Sequence, residues 1–475
     1  MIKIGLEIHV QLNTKSKLFC GCAVNGNDEP NTRTCPVCLG YPGAKPVLNS
    51  KALEYAVKMA KVLGCKLNKK IFFSRKTYFY PDLAKNYQIT QYEVPIGFNG
   101  KIKLKENDVT ITRIHLEEDP GALVHPKGLQ KSEFTLIDYN RSGIPLLEIV
   151  TEPEIQSAAQ AREFMKKLKT FLGYLEIYSG GVVKADVNVS VRESGYVRAE
   201  VKNVTGFKEI EKTIEYEILR QRKELNEGMK LKQETRGWDA EKGITFLSRG
   251  KETEEDYGYI FDPDLCVYDI DENIKLPEMP DEKILRFVKK YHLDKEDAEV
   301  LASEKYLAEF FEMVAEEVDC KIAAKWIRRD LLSALAENNK TMTEIDHKKI
   351  IKLLNLFCSG KITDKVAKDI LFLIVKKDVS PEEFVKKKGL EAVSDSSELE
   401  RFAREAIGSN PKAVEDYKNG RHEALNFVVG YVMKKTSGKA DPKKIPIEIR
   451  LKRSLVRSLI LSTSFLAFGC KSLNL

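Results

Sequence analysis

The chain has 475 residues, of which 43% are hydrophobic, 31% charged and 9% aromatic, and its formal net charge is +7 at pH 7. This composition excludes a fibrous or largely disordered protein, and the length exceeds what one hydrophobic core usually supports. The basic excess lies at the C-terminal end, where residues 406–475 carry thirteen Lys or Arg and five Asp or Glu. Such a segment attracts polyanions, nucleic acid above all, although charge alone fits a solvated helical face equally well.

Neither end of the chain has the pattern of a targeting or membrane segment. The N-terminus, Met1–Glu7, carries charges where a secretion signal would be apolar. The apolar stretch Ser458–Cys470 is shorter than the roughly 18 residues that a membrane helix needs. We therefore expect a cytoplasmic protein that acts without a membrane. Its nine cysteines are then expected to be ligands or buried thiols and not disulfides.

Acidic and histidine side chains recur in three separate segments. Glu7 and His9 alternate with apolar residues as in a strand, which places both on one face. The segment His115–Asp119 contains three acids, and Glu148 follows an apolar run. Clustered carboxylates repel one another unless a cation holds them, and oxygen ligands with an imidazole suit Mg²⁺ bearing a nucleotide phosphate. Each residue alone fits an ordinary surface or sheet position, so this prediction requires that the segments converge.

Two cysteine pairs lie near the N-terminus. Cys20 and Cys22 are separated from Cys35 and Cys38 by twelve residues rich in Asn, Asp and Pro. Paired thiolates on two turns can meet around one tetrahedral Zn²⁺, and buried or redox-active thiols are the alternative. Four thiolates leave no open coordination position, so a zinc ion here would be structural and would fix the loop 25–34.

A polar and aromatic segment, Lys76–Gln91, combines tyrosine, lysine and glutamine side chains. These side chains suit stacking on a base and binding of phosphate or an amino acid, and a hydrated loop with packed tyrosines is the alternative. The sequence contains no glycine-rich phosphate loop of the P-loop or dinucleotide type, which excludes those two classes of nucleotide site.

Helix signals come next along the chain. Ser157–Gln160 has the pattern of a capping box, and apolar residues at helical spacing follow it. A second helix is predicted over about Phe207–Asn226, with Gly228 as its stop. Proline and glutamate in Leu276–Pro280 interrupt both helix and strand, and the residues beyond it are rich in Lys, Glu and Leu. The sequence therefore predicts an α+β part followed by a helical part.

Several motifs resemble, in order and spacing, those of the B subunits of the glutamyl/aspartyl-tRNA amidotransferases. The resemblance covers most of the first 280 residues and continues to a tail motif at Ala424–Pro442; residues 445–475 do not resemble the family. The matching segments are Ile4–Leu12, Lys76–Asp82, Tyr87–Gln91, Arg113–Asp119, Asp138–Val150, Asp186–Arg192, Glu200–Asn203 and Gln233–Arg236.

The resemblance implies an α+β fold in three parts. These are a cradle-like mixed catalytic domain over residues 1–280 with a zinc-ribbon-like insertion at 20–38, an all-helical domain over 281–396, and a small helical tRNA-binding tail over 397–475. It also implies a ligase that uses ATP to phosphorylate the side-chain carboxylate of misacylated Glu-tRNA(Gln) or Asp-tRNA(Asn). Ammonia then displaces the phosphate. In the family, ammonia comes from the A subunit, an amidase, which assembles with the B subunit and with a small C subunit.

The resemblance also assigns residues, with ATP, Mg²⁺ and Zn²⁺ as the cofactors. By this transfer, Mg²⁺ would be held by His9, Glu118 and Glu148. The catalytic residues would be these three together with Glu7, Glu117, Asp186 and Lys202. The residues expected to bind ATP are Lys76, Tyr80 and Asn188. Two other functions remain open from the residues: a non-catalytic zinc-containing RNA-binding protein, and a carboxylate–amine ligase that acts on a free small molecule.

Overall fold

The computed structural model of the chain describes residues 1–475 except 129–131, 179–182, 251–257, 393–395, 419–420, 437, 441–444 and 446–475. The expected tail domain, 397–475, therefore lies partly outside the described residues. The chain divides into two compact units, Met1–Glu282 and Lys283–Leu475. The first is rich in strands and the second is built from helices, which confirms the predicted α+β class and the order of the two parts.

The first unit contains the strands and three long helices. The strands are β1 (Ile2–Gln11), β2 (Lys66–Leu67), β3 (Lys70–Ile71), β4 (Ser74–Thr77), β5 (Tyr87–Thr90), β6 (Gly97–Lys103), β7 (Asp108–Glu118), β8 (Ala122–Val124), β9 (Leu136–Asp138), β10 (Pro145–Thr151), β11 (Val183–Val191), β12 (Ala199–Thr205), β13 (Glu234–Asp239), β14 (Ile244–Gly250), β15 (Gly258–Phe261) and β16 (Tyr268–Asp269). The helices are α1 (Ser50–Val62), α2 (Ala158–Tyr174) and α3 (Phe207–Asn226).

Nine of these strands form one sheet in the order β14-β13-β12-β11-β1-β10-β7-β6-β2. The alternation of β1 explains why its two faces differ, because Ile4, Leu6 and Ile8 are fully buried in the core while Glu7 and His9 point to the other side. Helices α1, α2 and α3 contribute to the same core and cover the apolar face. The opposite face is left for polar side chains.

A smaller sheet of order β15-β4-β5 contacts the large sheet through β5 and β7. The side chain of Gln88 on β5 donates hydrogen bonds to Oε1 of Glu117 at 3.2 Å and to the backbone carbonyl of Glu118 at 2.9 Å. The Lys76–Gln91 segment is thereby brought next to the polar face of the large sheet.

Both predicted helices of this unit are confirmed. Helix α2 begins after Ser157, whose hydroxyl accepts a hydrogen bond from the backbone N–H of Gln160. Helix α3 spans Phe207–Asn226, and Gly228 follows it with a positive φ of 81°.

The second unit has a core of its own and a smaller cluster near its C-terminal end. Within the described residues, no helix combines the length and the apolar character that a membrane crossing requires. A π-helix, Trp326–Leu331, joins two of the helices. The α-helices are α4 (Pro280–Tyr291), which begins in the first unit, α5 (Lys295–Leu301), α6 (Lys305–Ala315), α7 (Cys320–Lys325), α8 (Leu332–Glu337), α9 (His347–Cys358), α10 (Asp364–Lys377), α11 (Pro381–Lys388), α12 (Ser396–Ser409), α13 (Pro411–Lys418) and α14 (Leu425–Lys435).

Candidate active site

The polar face of the large sheet forms the floor of a cavity of about 930 Å³ in the first unit. Seven residues predicted from the sequence line this cavity: Glu7, His9, Lys76, Tyr80, Glu148, Asp186 and Lys202. Other lining residues come from β4, β5 and the loop that joins them, and from β12, β13 and β14. Segments far apart in the sequence therefore meet in one place.

Strand register explains how these side chains meet. In neighbouring strands Glu7 lies opposite Asp186, and His9 lies opposite Glu148. Glu148 in turn lies opposite His115. Residues opposite each other in adjacent strands project to the same face, so a row of acids and imidazoles crosses β11, β1, β10 and β7.

The centre of the row is Glu148, which is 3% exposed. Its Oε2 lies 3.4 Å from Nε2 of His9 and 3.4 Å from Nε2 of His115. The Nδ1 atom of His115 is buried and has no hydrogen-bond partner among the described residues.

Burial, charges and hydrogen bonds within the row shift the pKa values of its members. Burial opposes the charged form of His9, but the hydrogen bond and charge of Glu148 outweigh it and raise the pKa of His9 to about 10. Burial, together with the charge of Glu148, raises the pKa of Glu7 to about 8. Burial also opposes the charged form of Glu148, yet the neighbouring His115 and His9 hold the pKa of this carboxyl well below its usual value.

Three overlapping groups of side chains in this row offer metal-ligand atoms that lie within 4.8 Å of one another. Carboxylate oxygens with imidazole nitrogens are a donor set that Mg²⁺ or Mn²⁺ accepts, so the residues fit a divalent cation. The shared members, Glu7 and Glu148, link neighbouring groups. The groups are Glu7, His9 and Glu148; His115, Glu117 and Glu148; and Glu7, Asp186 and Glu200.

Glu118, which the resemblance assigned to Mg²⁺, belongs to none of these groups in the described part of the chain. It follows Glu117 on β7, and successive residues of a strand point to opposite faces. Its carboxylate instead accepts hydrogen bonds from the ammonium of Lys85 at 2.7 Å and from the backbone N–H of Ile89 at 2.8 Å. The structure thus brings His9 to Glu148 and leaves Glu118 in a buried ion pair.

Asp186 and Lys202 form a second contact within the cavity. Nζ of Lys202 lies 3.3 Å from Asp186 and 3.4 Å from Glu200, and the backbone N–H of Asn203 donates to Asp186 at 2.7 Å. Burial opposes the charge of Lys202, but Asp186 and Glu200 outweigh it and raise the pKa of this lysine above its usual value. A fixed positive charge therefore lies beside the acidic row.

The three residues expected to bind ATP differ in their surroundings. Lys76 lines the cavity, and although burial opposes its charge, Glu117 and Glu148 raise its pKa above the usual value. Tyr80 also lines the cavity and is 52% exposed. Asn188 lies on β11 opposite Gly5 and Glu200, and its buried Oδ1 has no hydrogen-bond partner among the described residues.

The motifs assigned no role to two members of the donor groups, His115 and Glu200, or to Phe246, which lines the cavity. His115 was part of a matching motif, and its even spacing from Glu117 on a strand is the signal that could have assigned it. Glu200 was likewise in a motif, and the hydroxyl of Thr235 donates to it at 3.3 Å. Phe246 belongs to no motif, and nothing in the sequence singled it out.

The four N-terminal cysteines come together as predicted from their spacing, with one sulfur atom of each within 4.8 Å of the others. Sγ of Cys35 and Sγ of Cys38 are 3.9 Å apart, close to the sulfur separation of about 3.8 Å that a tetrahedral site with Zn–S bonds of about 2.3 Å requires. The backbone N–H of Cys35 points at Sγ of Cys38 at 3.2 Å. These residues fit a structural zinc ion.

A buried lysine adds to that fit. Lys17 is 0% exposed, and its ammonium donates to the carbonyls of Arg33 and Tyr139 and lies 3.7 Å from Sγ of Cys38. A buried ammonium is costly unless negative charge is near it, and thiolates around a metal would supply that charge.

Comparison with known proteins places the chain in a family. A family model described as the GatB/GatE catalytic domain matches residues 2–275, and another described as the GatB domain matches residues 309–452. The B subunit of the aspartyl/glutamyl-tRNA(Asn/Gln) amidotransferase of Carboxydothermus hydrogenoformans is 43% identical over 463 residues, which cover 93% of this chain and 96% of that protein. The protein of the same name from Saccharolobus solfataricus is 44% identical over 474 residues, covering 95% and 99%.

These matches confirm the resemblance found in the motifs, and they run through both units of the fold. They also confirm that the chain is part of an enzyme and not a non-catalytic binding protein. The chain belongs to the family of aspartyl/glutamyl-tRNA amidotransferase B subunits, a family of ligases.

Proposed function

We propose that this chain uses ATP to phosphorylate the side-chain carboxylate of glutamate or aspartate esterified to tRNA(Gln) or tRNA(Asn), and then transfers ammonia to the activated carbon. The observation that carries the proposal is the row of Glu7, His9 and Glu148 on the floor of one cavity, with Lys76 and Lys202 beside it. His115 contacts Glu148 from the buried side. The names of the relatives state the same pair of tRNA substrates.

The charges of the reactants explain the need for such a site. ATP and the substrate carboxylate are both anions, so phosphoryl transfer between them requires neutralisation and alignment more than covalent assistance. Mg²⁺, when bound, would neutralise phosphate oxygens, and Glu148 would hold it either with Glu7 and His9 or with His115 and Glu117. Lys76 and Lys202 would attract the remaining phosphate charge.

The reaction balances in two steps. First, a carboxylate oxygen forms a bond to the γ-phosphorus, the bond between that phosphorus and the bridging oxygen breaks, and ADP leaves. Second, the nitrogen of ammonia attacks the acyl carbon, the bond to the phosphate oxygen breaks, and phosphate leaves while the nitrogen loses a proton. Phosphorylation converts a very poor leaving group into a good one, which is why ATP is consumed.

The partners follow from the family. The relatives are named as subunits, so we propose that this chain also acts in a complex, with an amidase, the A subunit, that supplies ammonia and with a small C subunit. Misacylated tRNA would be the macromolecular substrate, and the basic C-terminal segment would contribute to its binding. Zinc held by Cys20, Cys22, Cys35 and Cys38 would stabilise the loop 25–34 and take no part in the chemistry.

A self-contained ligase for a free small molecule would carry out the same chemistry without a tRNA. Family membership favours the tRNA substrate, because each of the relatives compared is named for it. The two functions differ in one simple observable, since only the tRNA enzyme has an ATPase activity that misacylated tRNA stimulates.

Isotope transfer provides the direct test of an acyl phosphate. The reconstituted complex is given ATP, glutamine and tRNA(Gln) charged with glutamate whose side-chain carboxylate carries ¹⁸O. The proposal predicts that each amide formed releases inorganic phosphate with one ¹⁸O atom. Unlabelled phosphate would contradict it. Free labelled glutamate in place of the charged tRNA is the control for the small-molecule alternative.

A pair of variants connects that reaction to the cavity. Glu148→Gln should abolish ¹⁸O transfer while leaving tRNA binding intact, because it removes the central carboxylate of the row. Glu152→Gln is the matched control: Glu152 lies just beyond the same strand and accepts a hydrogen bond from Thr112, outside the three donor groups. Equal activity of the two variants would remove Glu148 from the mechanism.

A further inference from the structure

Aromatic side chains line the cavity beside the charged ones, and one of them comes from the edge strand of the large sheet. Phe246 lies on β14, lines the cavity and is 42% exposed. Thr245, the residue before it, points to the other face, where its hydroxyl donates to Glu217. Strand alternation therefore turns the ring of Phe246 toward the cavity.

The ring of Phe246 packs on a glycine of the neighbouring strand. Gly237 on β13 lies opposite Phe246, and a Cβ atom added at Gly237 would be 2.4 Å from Cζ of Phe246. The ring thus lies directly over the glycine backbone. A side chain on residue 237 would occupy the space that the ring fills. Phe246 nevertheless lines the cavity and keeps 42% of its surface exposed, so part of the residue is accessible to a ligand.

The sheet sets the order of chemical groups along the cavity floor. Gly237 lies opposite Lys202 on β12, and Lys202 contacts Asp186 on β11, which lies opposite Glu7 on β1. Adjacent strands are separated by about 4.8 Å, so the ring and the lysine are on strands roughly 10 Å apart, with the acidic row beyond them. The order is aromatic ring, fixed cation, metal-binding carboxylates.

We infer that Phe246, seated on Gly237, is a stacking platform for the adenine ring of a nucleotide whose phosphates extend toward Lys202. The inference rests on the proposed function and deepens it by assigning the base-binding end of the cavity. A nucleotide presents its base, its phosphates and a bound divalent cation in that order. The cavity floor presents the matching groups in the same order: the aromatic ring, the lysine and the carboxylates. An aromatic face also suits a purine, because stacking needs no particular hydrogen-bond pattern.

Two reactants of the proposed function carry adenine. One is ATP, and the other is the 3′-terminal adenosine of the tRNA, to which the amino acid is esterified. Both present the same ring, and they are distinguished by binding measurements on the reconstituted complex. One arm measures the dissociation constant of ATP, with inorganic triphosphate as the ligand that lacks a base. The other measures that of tRNA(Gln) with and without its terminal adenosine.

The variants are Phe246→Ala, which removes the ring, and Phe246→Trp, which restores an aromatic face. Loss of one base–aromatic stack weakens binding roughly 5- to 150-fold. Phe246→Ala should lose that much affinity for the adenine ligand and none for the matching ligand without adenine. Phe246→Trp should recover most of the lost affinity. Leu247→Ala is the matched control, because Leu247 is the next residue, is 60% exposed and does not line the cavity.

A second variant tests the same inference without changing residue 246, so that the test does not depend on whether Phe246→Ala folds. Gly237→Ala keeps the phenylalanine but places a Cβ atom where its ring lies, so the ring must rotate away. It should weaken binding of the same adenine ligand while leaving binding of triphosphate unchanged.

The outcomes separate this inference from the function on which it rests. A loss confined to ATP assigns the platform to ATP, and a loss confined to tRNA bearing its terminal adenosine assigns it to the tRNA end. If the wild-type complex binds both ligands and Phe246→Ala binds both equally well, the inference is overturned and the proposed function stands. If the wild-type complex does not bind ATP, the proposed function itself fails.

Discussion

The ion pair between Lys85 and Glu118 offers a sharp test of the site geometry. Both side chains are nearly inaccessible, with exposures of 7% and 4%. Removing one partner of a buried pair leaves an uncompensated charge and costs about 3–5 kcal/mol. In Lys85→Met the carboxylate keeps one hydrogen bond from Ile89, so we expect the lower end, about 3 kcal/mol. The double variant Lys85→Met/Glu118→Gln should lose much less than the sum of the two single variants, because it leaves no charge unpaired.

Urea unfolding followed by tryptophan fluorescence measures these free energies. The chain has two tryptophans, Trp238 in the first unit and Trp326 in the second, so a Trp326→Phe background lets Trp238 report on the unit that contains the pair. The same variants are titrated with Mn²⁺. We expect Glu118→Gln to lower stability and to retain cation binding. Additive free energies would mean that Lys85 and Glu118 do not stabilise each other. Loss of Mn²⁺ binding at unchanged stability would mean that Glu118 is a metal ligand.

Three further predictions concern other parts of the first unit. Cys38→Ser should reduce the zinc content of the purified protein, measured by elemental analysis, and full retention would argue against the four-cysteine site. Gly100→Ala should destabilise the protein by about 1–3 kcal/mol in urea unfolding, because its Cβ would lie 2.4 Å from Sγ of Cys65 and 2.7 Å from a backbone carbonyl. Gly173→Ala is the control and should not destabilise the protein, because there is open space around Gly173. Burial raises the pKa of Cys65 to about 12, and the thiolate is the form of cysteine that reacts. Iodoacetamide at pH 8.5 should therefore label the exposed Cys266 first. Cys65 should react only as the pH approaches 12. Equal labelling of the two would contradict this burial.

Much of the fold and part of the site were predictable from local patterns. The period-2 alternation around Glu7 and His9 gave a strand with both side chains on one face, and Ser157 and Gly228 marked helix ends that the structure confirms. These features depend on residues close together in the sequence, where propensity and spacing are informative.

The choice between the two adjacent glutamates of β7 was a different problem. Alternation shows that Glu117 and Glu118 point to opposite faces, but only the pairing of β7 with β10 shows which face carries Glu148. The motif alone does not show which of the two carboxylates lies near Glu148. Lys85, which pairs with Glu118, lies outside the matching motifs, so its role was invisible at that level.

The remaining site residues depend on the order of strands in the sheet. Asp186 lies opposite Glu7 because β11 is next to β1, and Lys202 reaches Asp186 from β12 on the other side of β11. More than 170 residues separate both side chains from Glu7 in sequence. Phe246 becomes part of the floor only because β14 is the next strand but one to β12. Such contacts are set by tertiary structure, which no local pattern encodes.

The proposed chemistry depends on divalent cation binding by the row around Glu148, which electron paramagnetic resonance of Mn²⁺ measures. The signal of free Mn²⁺ is followed as the reconstituted complex is added without ATP, because ATP itself binds the ion. Wild type and Glu152→Gln should bind the ion with the same affinity, and Glu148→Gln should bind at least about tenfold more weakly, since loss even of groups that only support a ligand costs about 10- to 100-fold. Equal Mn²⁺ affinity in all three proteins would mean that Glu148 does not hold the cation.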